Sequence, residues 1–191
     1  MERSAYRGVS YKEARTVIHT QKYERNESRA FNNGVAARSS FGPGVYLIND
    51  LELAAQYAFC HAEVEEEEIA VVLNQKITFK NPFILNYQFS ETRLRKEALR
   101  WKYTGSHFPA NRIANNHLEL SKQIGNDIRE YLLARSHDGI IYHIDDEIIY
   151  YVLYNQEKQL KDIDVELVFN INGSEKNVSS AIYSISKIKH N

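Results

Sequence analysis

The chain has 191 residues, 43% of them hydrophobic and 26% charged, which is the composition of a globular domain with a real core. Its formal net charge of −1 excludes a chain-wide field that would draw it to nucleic acid or to a membrane surface, although local basic patches are compatible with it. Cys60 is the only cysteine, so an internal disulfide is excluded, a multi-cysteine zinc site has no ligands, and a reducing compartment fits.

Along the chain, Tyr6 to Val9 predicts a first strand. Ser10 and Glu13 then form a capping box, and Ala14, Val17 and Ile18 give the helix that follows an apolar stripe. Residues 22–40 are polar and rich in Asn, Ser and Arg, and read as a long loop. Val45 to Ile48 is a strand, and Asp50 caps a helix with Leu51, Ala54, Ala55 and Ala58 on one face. The acidic run from Glu63 to Glu68, broken by Val64, reads as a solvated helix end or loop.

Ile69 to Leu73 predicts a buried strand, and Ile77 to Leu85 another, broken at Asn81-Pro82. Ser90 to Lys102 and Asn116 to Ala134 read as helices, and Arg135 to Gly139 as a stop and turn. Gly139 to Ile144 and Ile148 to Tyr154 pair as strands around an Asp145-Asp146 turn. Ile163 to Ile171 is a further strand, Asn172-Gly173 a turn, and Ala181 to Ile188 a last strand. Helices that do not alternate regularly with strands predict an α+β fold with antiparallel sheets. No internal repeat and no natural boundary divide the chain, so one domain over 1–191 is expected.

Several chemistries have no motif here. There is no phosphate-binding Gly-x-x-x-x-Gly-Lys-Ser loop, no His-Glu-x-x-His and no Gly-x-Ser-x-Gly. Gly42-Pro43-Gly44 lacks the third glycine of a dinucleotide fingerprint. The seven histidines are scattered, and no metal site is expected from them. Cys60 and His61 are chain neighbours, a spacing that does not aim a thiol at an imidazole.

Three segments could carry chemistry. Arg7 ends the first strand, directly before Gly8; its fork suits phosphate or ribose oxygens, and the glycine lets a ligand approach the backbone. An ordinary surface arginine is the commoner fate of such a tripeptide. In the second segment, Phe41-Gly42-Pro43-Gly44 forces a turn, Tyr46 follows on the strand, and Tyr57 lies in the next helix on the face of Ala54. Two rings set this way can stack on a flat cationic ring such as nicotinamide, or they can be two core tyrosines. The third segment runs from His143 through Glu147 to Asn155, where a carboxylate at a strand mouth could hold a ribose hydroxyl or stabilise an oxocarbenium-like centre. An acidic turn in solvent is the competing reading.

Together these segments resemble the ADP-ribosyltransferase superfamily, over roughly residues 6–163. In its poly(ADP-ribose) polymerase-like branch the first strand carries a basic residue, Gly, and then Ser or Thr, matched here by Arg7-Gly8-Val9-Ser10. The next signature, Phe-Gly-x-Gly-Ile/Val-Tyr with small residues and a second tyrosine, is matched by Phe41, Gly42, Gly44, Val45, Tyr46, Ala54, Ala55 and Tyr57. Downstream, Asp138-Gly139-Ile140-Ile141, then Val152 to Asn155 and Gln159-Leu160-Lys161, is similar to small bacterial and phage members. The sequence departs from the pattern in carrying Arg7 where that branch has His, and in lacking the Ser-Thr-Ser motif of the toxin-like branch.

The resemblance implies a split β-sandwich of two antiparallel sheets with NAD, as co-substrate, in the cleft. Arg7, Tyr46 and Glu147 would be catalytic, with Gly8, Ser10, Phe41, Tyr57 and Tyr150 binding the dinucleotide. Aligned on Val152 to Asn155, the catalytic position falls on Tyr150; anchored at the start of the strand, it falls on Glu147. A regular strand would turn residues 147 and 150 to opposite faces.

The implied activity is mono-ADP-ribosyl transfer to a macromolecular acceptor, protein ahead of nucleic acid, with nicotinamide released. A compact member implies a bacterial toxin or effector, with an antitoxin or immunity protein as a partner and no membrane association. It would act in the cytoplasm, its own or that of a target cell. No apolar run approaches the ~20 residues of a membrane helix, and residues Met1 to Tyr6 show no apolar signal core. Arg93, Arg95, Lys96, Arg100 and Lys102 surround Trp101 and Tyr103, a cluster suited to a macromolecular partner or simply to solvent. An NAD glycohydrolase, a non-catalytic NAD- or ADP-ribose-binding module and an unrelated α+β domain are the alternatives.

Overall fold

A computed structural model describes residues 2–24, 40–104, 117–174 and 177–189. Most of the loop expected over 22–40 lies outside the described residues. In chain order the elements are β1 (Glu2–Ser10), α1 (Tyr11–Thr20), β2 (Val45–Ile48), α2 (Leu51–Val64), β3 (Ile69–Thr78), β4 (Pro82–Leu85), α3 (Glu91–Lys102), α4 (His117–Leu133), β5 (Gly139–His143), β6 (Ile149–Leu153), α5 (Gln156–Gln159), β7 (Leu160–Asn170) and α6 (Val178–Lys189). The fold is a mixed α+β arrangement, as the element pattern predicts. No described helix is long and apolar enough to cross a membrane.

The chain packs as two compact units, one built from Met1–Glu24, Leu47–Thr78 and Gln156–Asn191, the other from Arg25–Tyr46 and Phe79–Asn155. Neither is contiguous in sequence, which is why no boundary shows along the chain.

In the first unit β1 is paired on both sides. Tyr6 pairs with Ile48 at the end of β2, and β3 runs antiparallel to β1 from Glu2 opposite Thr78 to Ser10 opposite Ala70. β3 pairs in turn with β7, with irregularities between Val72 and Leu73 and between Asn74 and Lys76. The first half of β3, Ile69 to Leu73, is an unbroken apolar run, and Ala70, Val71, Val72 and Leu73 are wholly buried. It is one strand to Thr78, not two. α2 lies on β1 through Ala54, Ala58 and Ala62, a stripe of small residues at helical spacing with no exposed surface.

Helix starts follow the local signals. The Ser10 hydroxyl accepts from the Glu13 N–H, Asp50 from Leu53 and Ser90 from Arg93. The end of α1 is fixed by Gln21 in the left-handed region at φ 54°. The Gln21 side chain donates to Ile163 O at 3.0 Å and accepts from the Ile163 N–H at 3.0 Å, tying the helix to β7.

Two expectations are corrected here. The acidic run is not merely solvated: Glu65 accepts from the Ser10 hydroxyl at 2.9 Å, and Glu67 accepts from the Lys12 N–H at 3.2 Å, so both carboxylates sit at the positive end of α1. Residues 181–188, expected as a strand, belong to helix α6. Its Ala181 and Ile185, one turn apart, are buried against the α1 and β7 layer, and that burial outweighs the strand preference of its isoleucines.

In the second unit β4 runs parallel to β5, from Pro82 opposite Gly139 to Leu85 opposite Tyr142, and β5 pairs antiparallel with β6. The parallel pair departs from the all-antiparallel expectation. It arises because the connection carrying α3 and α4 is long enough to cross over. The break before β4 is capped by Asp138, which accepts from the N–H groups of Lys80 at 2.7 Å and Asn81 at 3.1 Å. α3 and α4 pack on the strands through Leu94, Ala98, Ile128 and Leu132, with Leu85, Ile140 and Val152 opposite.

Candidate functional site

The sequence-predicted residues divide between the two units. Arg7, Gly8, Ser10 and Tyr57 lie in the first, and Phe41, Tyr46, Glu147 and Tyr150 in the second.

Arg7 is buried, with only 6% of its surface exposed. Its Nη2 lies 3.8 Å from Glu13 Oε1, and its guanidinium carbon stands 4.8 Å from the Tyr23 ring centroid. Tyr23 is itself fixed: its hydroxyl donates to Gln75 Oε1 at 2.5 Å, and Gln75 Nε2 donates to Ala5 O at 2.6 Å. The Tyr23 backbone exchanges two 2.9 Å hydrogen bonds with the Gln156 side chain. A buried cation thus has a carboxylate at ion-pair distance and, beside it, an aromatic ring that is itself fixed by hydrogen bonds.

Gly8 has a packing reason to be glycine. A Cβ there would stand 2.1 Å from Ala54 O and 2.3 Å from Ala58 N, so the close approach it permits is that of the α2 backbone. Ser10 is also fully buried, and its hydroxyl is engaged with both Glu13 N–H and Glu65. Tyr57 is 45% exposed while Ala54 and Ala58 are wholly buried, so it lies off the Ala54 face on which it was expected.

In the second unit the Phe41–Gly44 turn is closed by the residues predicted with it. The Tyr46 hydroxyl donates to Gly42 O at 2.6 Å and accepts from the Phe41 N–H at 3.2 Å. The Tyr154 hydroxyl donates to Phe41 O at 3.0 Å. Burial pushes the Tyr154 phenol far above its ordinary range, and Arg129, whose guanidinium is 5.5 Å from that ring, opposes the shift. Gly42 takes φ +82°, and a Cβ there would stand 2.6 Å from Gly125 O in α4. Phe41 is buried, edge-on to Tyr142 with centroids 5.9 Å apart.

Glu147 is exposed in the β5–β6 turn, ahead of β6, which begins at Ile149. Its N–H and that of Ile148 donate to Asp145 Oδ1 at 2.9 and 2.6 Å. These two bonds, Ile148 first, hold the Asp145 carboxyl below the ordinary carboxylate range. The strand-parity conflict between residues 147 and 150 therefore does not arise, since 147 precedes the strand. Tyr150 is half-buried on β6, directly opposite Tyr142 on β5. Among the described residues no group of His, Cys, Asp and Glu could hold a metal ion.

No family model matches the chain, and no curated protein matches it.

Tyr23, Glu13 and Gln75 around Arg7, and Tyr154 at the turn, are contacts that the sequence reading did not assign. No local signal marks Gln75: it stands between Asn74 and Lys76, and only its burial, which the fold decides, makes it need partners.

Proposed function

We propose that the chain is an NAD-dependent mono-ADP-ribosyltransferase, an α+β split sandwich of two sheets with NAD in the cleft. One observation supports this most. The Phe41–Tyr57 segment forms the turn, strand and capped helix that the family signature requires, with Tyr46 closing the turn and Tyr57 exposed on α2.

In this reading Arg7, oriented by Glu13 and Tyr23, holds a phosphate or ribose oxygen of NAD. The Gly8 backbone meets the nicotinamide amide, and Tyr46 and Tyr57 stack on the ring. Ser10 acts by anchoring the start of α1, and Phe41 by fixing the turn. Glu147 holds a hydroxyl of the nicotinamide ribose. The glycosidic bond breaks and its electron pair leaves with nicotinamide. The acceptor nucleophile then bonds to the oxocarbenium-like carbon and gives up its proton. The acceptor is a macromolecule, protein ahead of nucleic acid, and the biological setting is that of a toxin or effector.

The exposed turn position of Glu147, off β6, favours a second reading: a module that binds NAD or ADP-ribose without turning it over.

Incubation with NAD labelled on the adenylate, alone and with bacterial or eukaryotic lysates, tests both. Nicotinamide release with label on a discrete macromolecule supports the transferase. Release without label identifies a glycohydrolase. Binding without consumption identifies the module, and neither binding nor consumption sinks the NAD reading. Glu147→Gln lies at an exposed site, so folding is spared; turnover should fall steeply with NAD binding retained, and an unchanged rate removes Glu147 from the mechanism.

A further inference from the structure

We propose that the outer face of α3, with Trp101 and Arg135 at its C-terminal end, binds single-stranded nucleic acid. This rests on the α3–α4 pair alone and stands whether or not the chain consumes NAD. The helix turns Leu94 and Ala98 into the core and leaves Arg95, Lys96 and Arg100 exposed. Its other two cations are neutralised: Arg93 pairs with Glu97 at 3.2 Å, and Lys102 with Glu130 and, at 3.6 Å, with Asp127. Among the described residues no carboxylate lies within ion-pair distance of Arg95, Lys96 or Arg100. On a chain of net charge −1 this is a local concentration of positive charge.

An aromatic platform lies at the C-terminal end of the same helix, around the helix from those cations and on the side of Leu94. Trp101 is 40% exposed, its ring set edge-on to Tyr131 with centroids 5.8 Å apart. The Arg135 guanidinium stands 5.9 Å from the Trp101 ring and 3.8 Å from that of Tyr131. Packing on Tyr131 holds the indole in place while leaving surface for another ring. Arginine forks match phosphate oxygens, and an exposed, braced indole offers a stacking surface that every base can use. Carboxylates alone would answer the charge but not the ring, and duplex bases are not available to stack. Both features together select a single strand.

Trp101 is the only tryptophan, so its fluorescence reports the site directly. The probe is a fluorescein-labelled oligothymidylate of 15 nucleotides, followed by anisotropy and by Trp101 quenching with unlabelled oligomer. Three or four phosphate contacts give a salt slope near −2 to −3, so affinity should fall roughly 20- to 50-fold between 50 and 200 mM salt. Arg95→Glu with Lys96→Glu and Arg100→Glu should abolish binding while circular dichroism and melting stay unchanged. Trp101→Leu should weaken binding by about 10-fold or more, as expected for a lost stacking contact. Absence of binding at 50 mM salt overturns the proposal. So does binding without quenching, binding indifferent to the three reversals in a folded protein, or equal quenching by polyglutamate, which would reassign the face to acidic protein.

Discussion

Replacing Gly8 with alanine tests what that glycine is for. The added Cβ would meet Ala54 O at 2.1 Å, Ala58 N at 2.3 Å and Ala58 Cα at 2.9 Å. All three are backbone atoms of α2, so no side chain can swing aside. The helix has to move off β1 by about 1 Å to restore contact, which opens the wholly buried Ala54, Ala58 and Ala62 stripe. Overpacking of a well-filled core costs about 1–3 kcal/mol, and the rigid neighbours place this site at the upper end. Removing a glycine from a strand returns about 0.5–1 kcal/mol. The net loss is about 2 kcal/mol, or a fall in melting temperature of about 4–8 °C for a chain of this size. Thermal melts followed by circular dichroism, with NAD binding by calorimetry in parallel, give the answer. A melting temperature within about 1 °C of the parent would refute the packing argument. If NAD binding vanished at that unchanged stability, the glycine would serve the ligand instead.

Other outcomes follow from the same contacts. Tyr23→Phe keeps the ring beside Arg7 but leaves the buried Gln75 Oε1 without its donor, so stability should drop by about 1–3 kcal/mol in urea unfolding. An unchanged midpoint would show the network to be dispensable. Asp127→Ala removes a fully buried carboxylate that accepts from Tyr103 OH at 3.0 Å and Gln123 Nε2 at 2.9 Å. A loss of about 1–3 kcal/mol is expected, and a neutral result would mean that those donors find new partners. The lowered pKa of Asp145 stabilises the β5–β6 turn above the ordinary carboxylate value, and that stabilisation is lost as pH falls through the lower folded value. Amide exchange in the turn, compared with that of Asp145→Asn at matched pH, should therefore differ near neutrality and converge only in acid below the lowered folded value. Equal protection of the two at pH 7 would dismiss the turn bonds.

What the sequence shows well is what neighbours in the chain decide. Ser10, Asp50 and Ser90 start their helices because their side-chain oxygen satisfies an otherwise unpaired N–H three residues on. The Asp145-Asp146 turn is local in the same sense, and so is the Tyr46 bond that closes Phe41–Gly44, whereas the Tyr154 bond to that turn comes from 113 residues away. Ala181 to Ile188 form a helix and not the expected strand because β-branched residues favour strands only until a helical face finds a surface to cover. The parallel register of β4 on β5 was invisible, since the two strands are far apart in sequence and nothing in either one names its partner.

The candidate residues follow the same division. The sequence by itself determined which side chains are present and in what order: an arginine before a glycine, a glycine turn before a tyrosine, an acidic turn before a strand. Only the tertiary structure decided their surroundings. It sealed Arg7 against Glu13 and Tyr23, set the α2 backbone against Gly8, turned Ser10 and Glu65 toward one another, and left Glu147 in solvent. The physical reason is range. Caps and turns are settled within about four residues of chain, whereas burial and ion pairing depend on segments that meet only after the chain has folded.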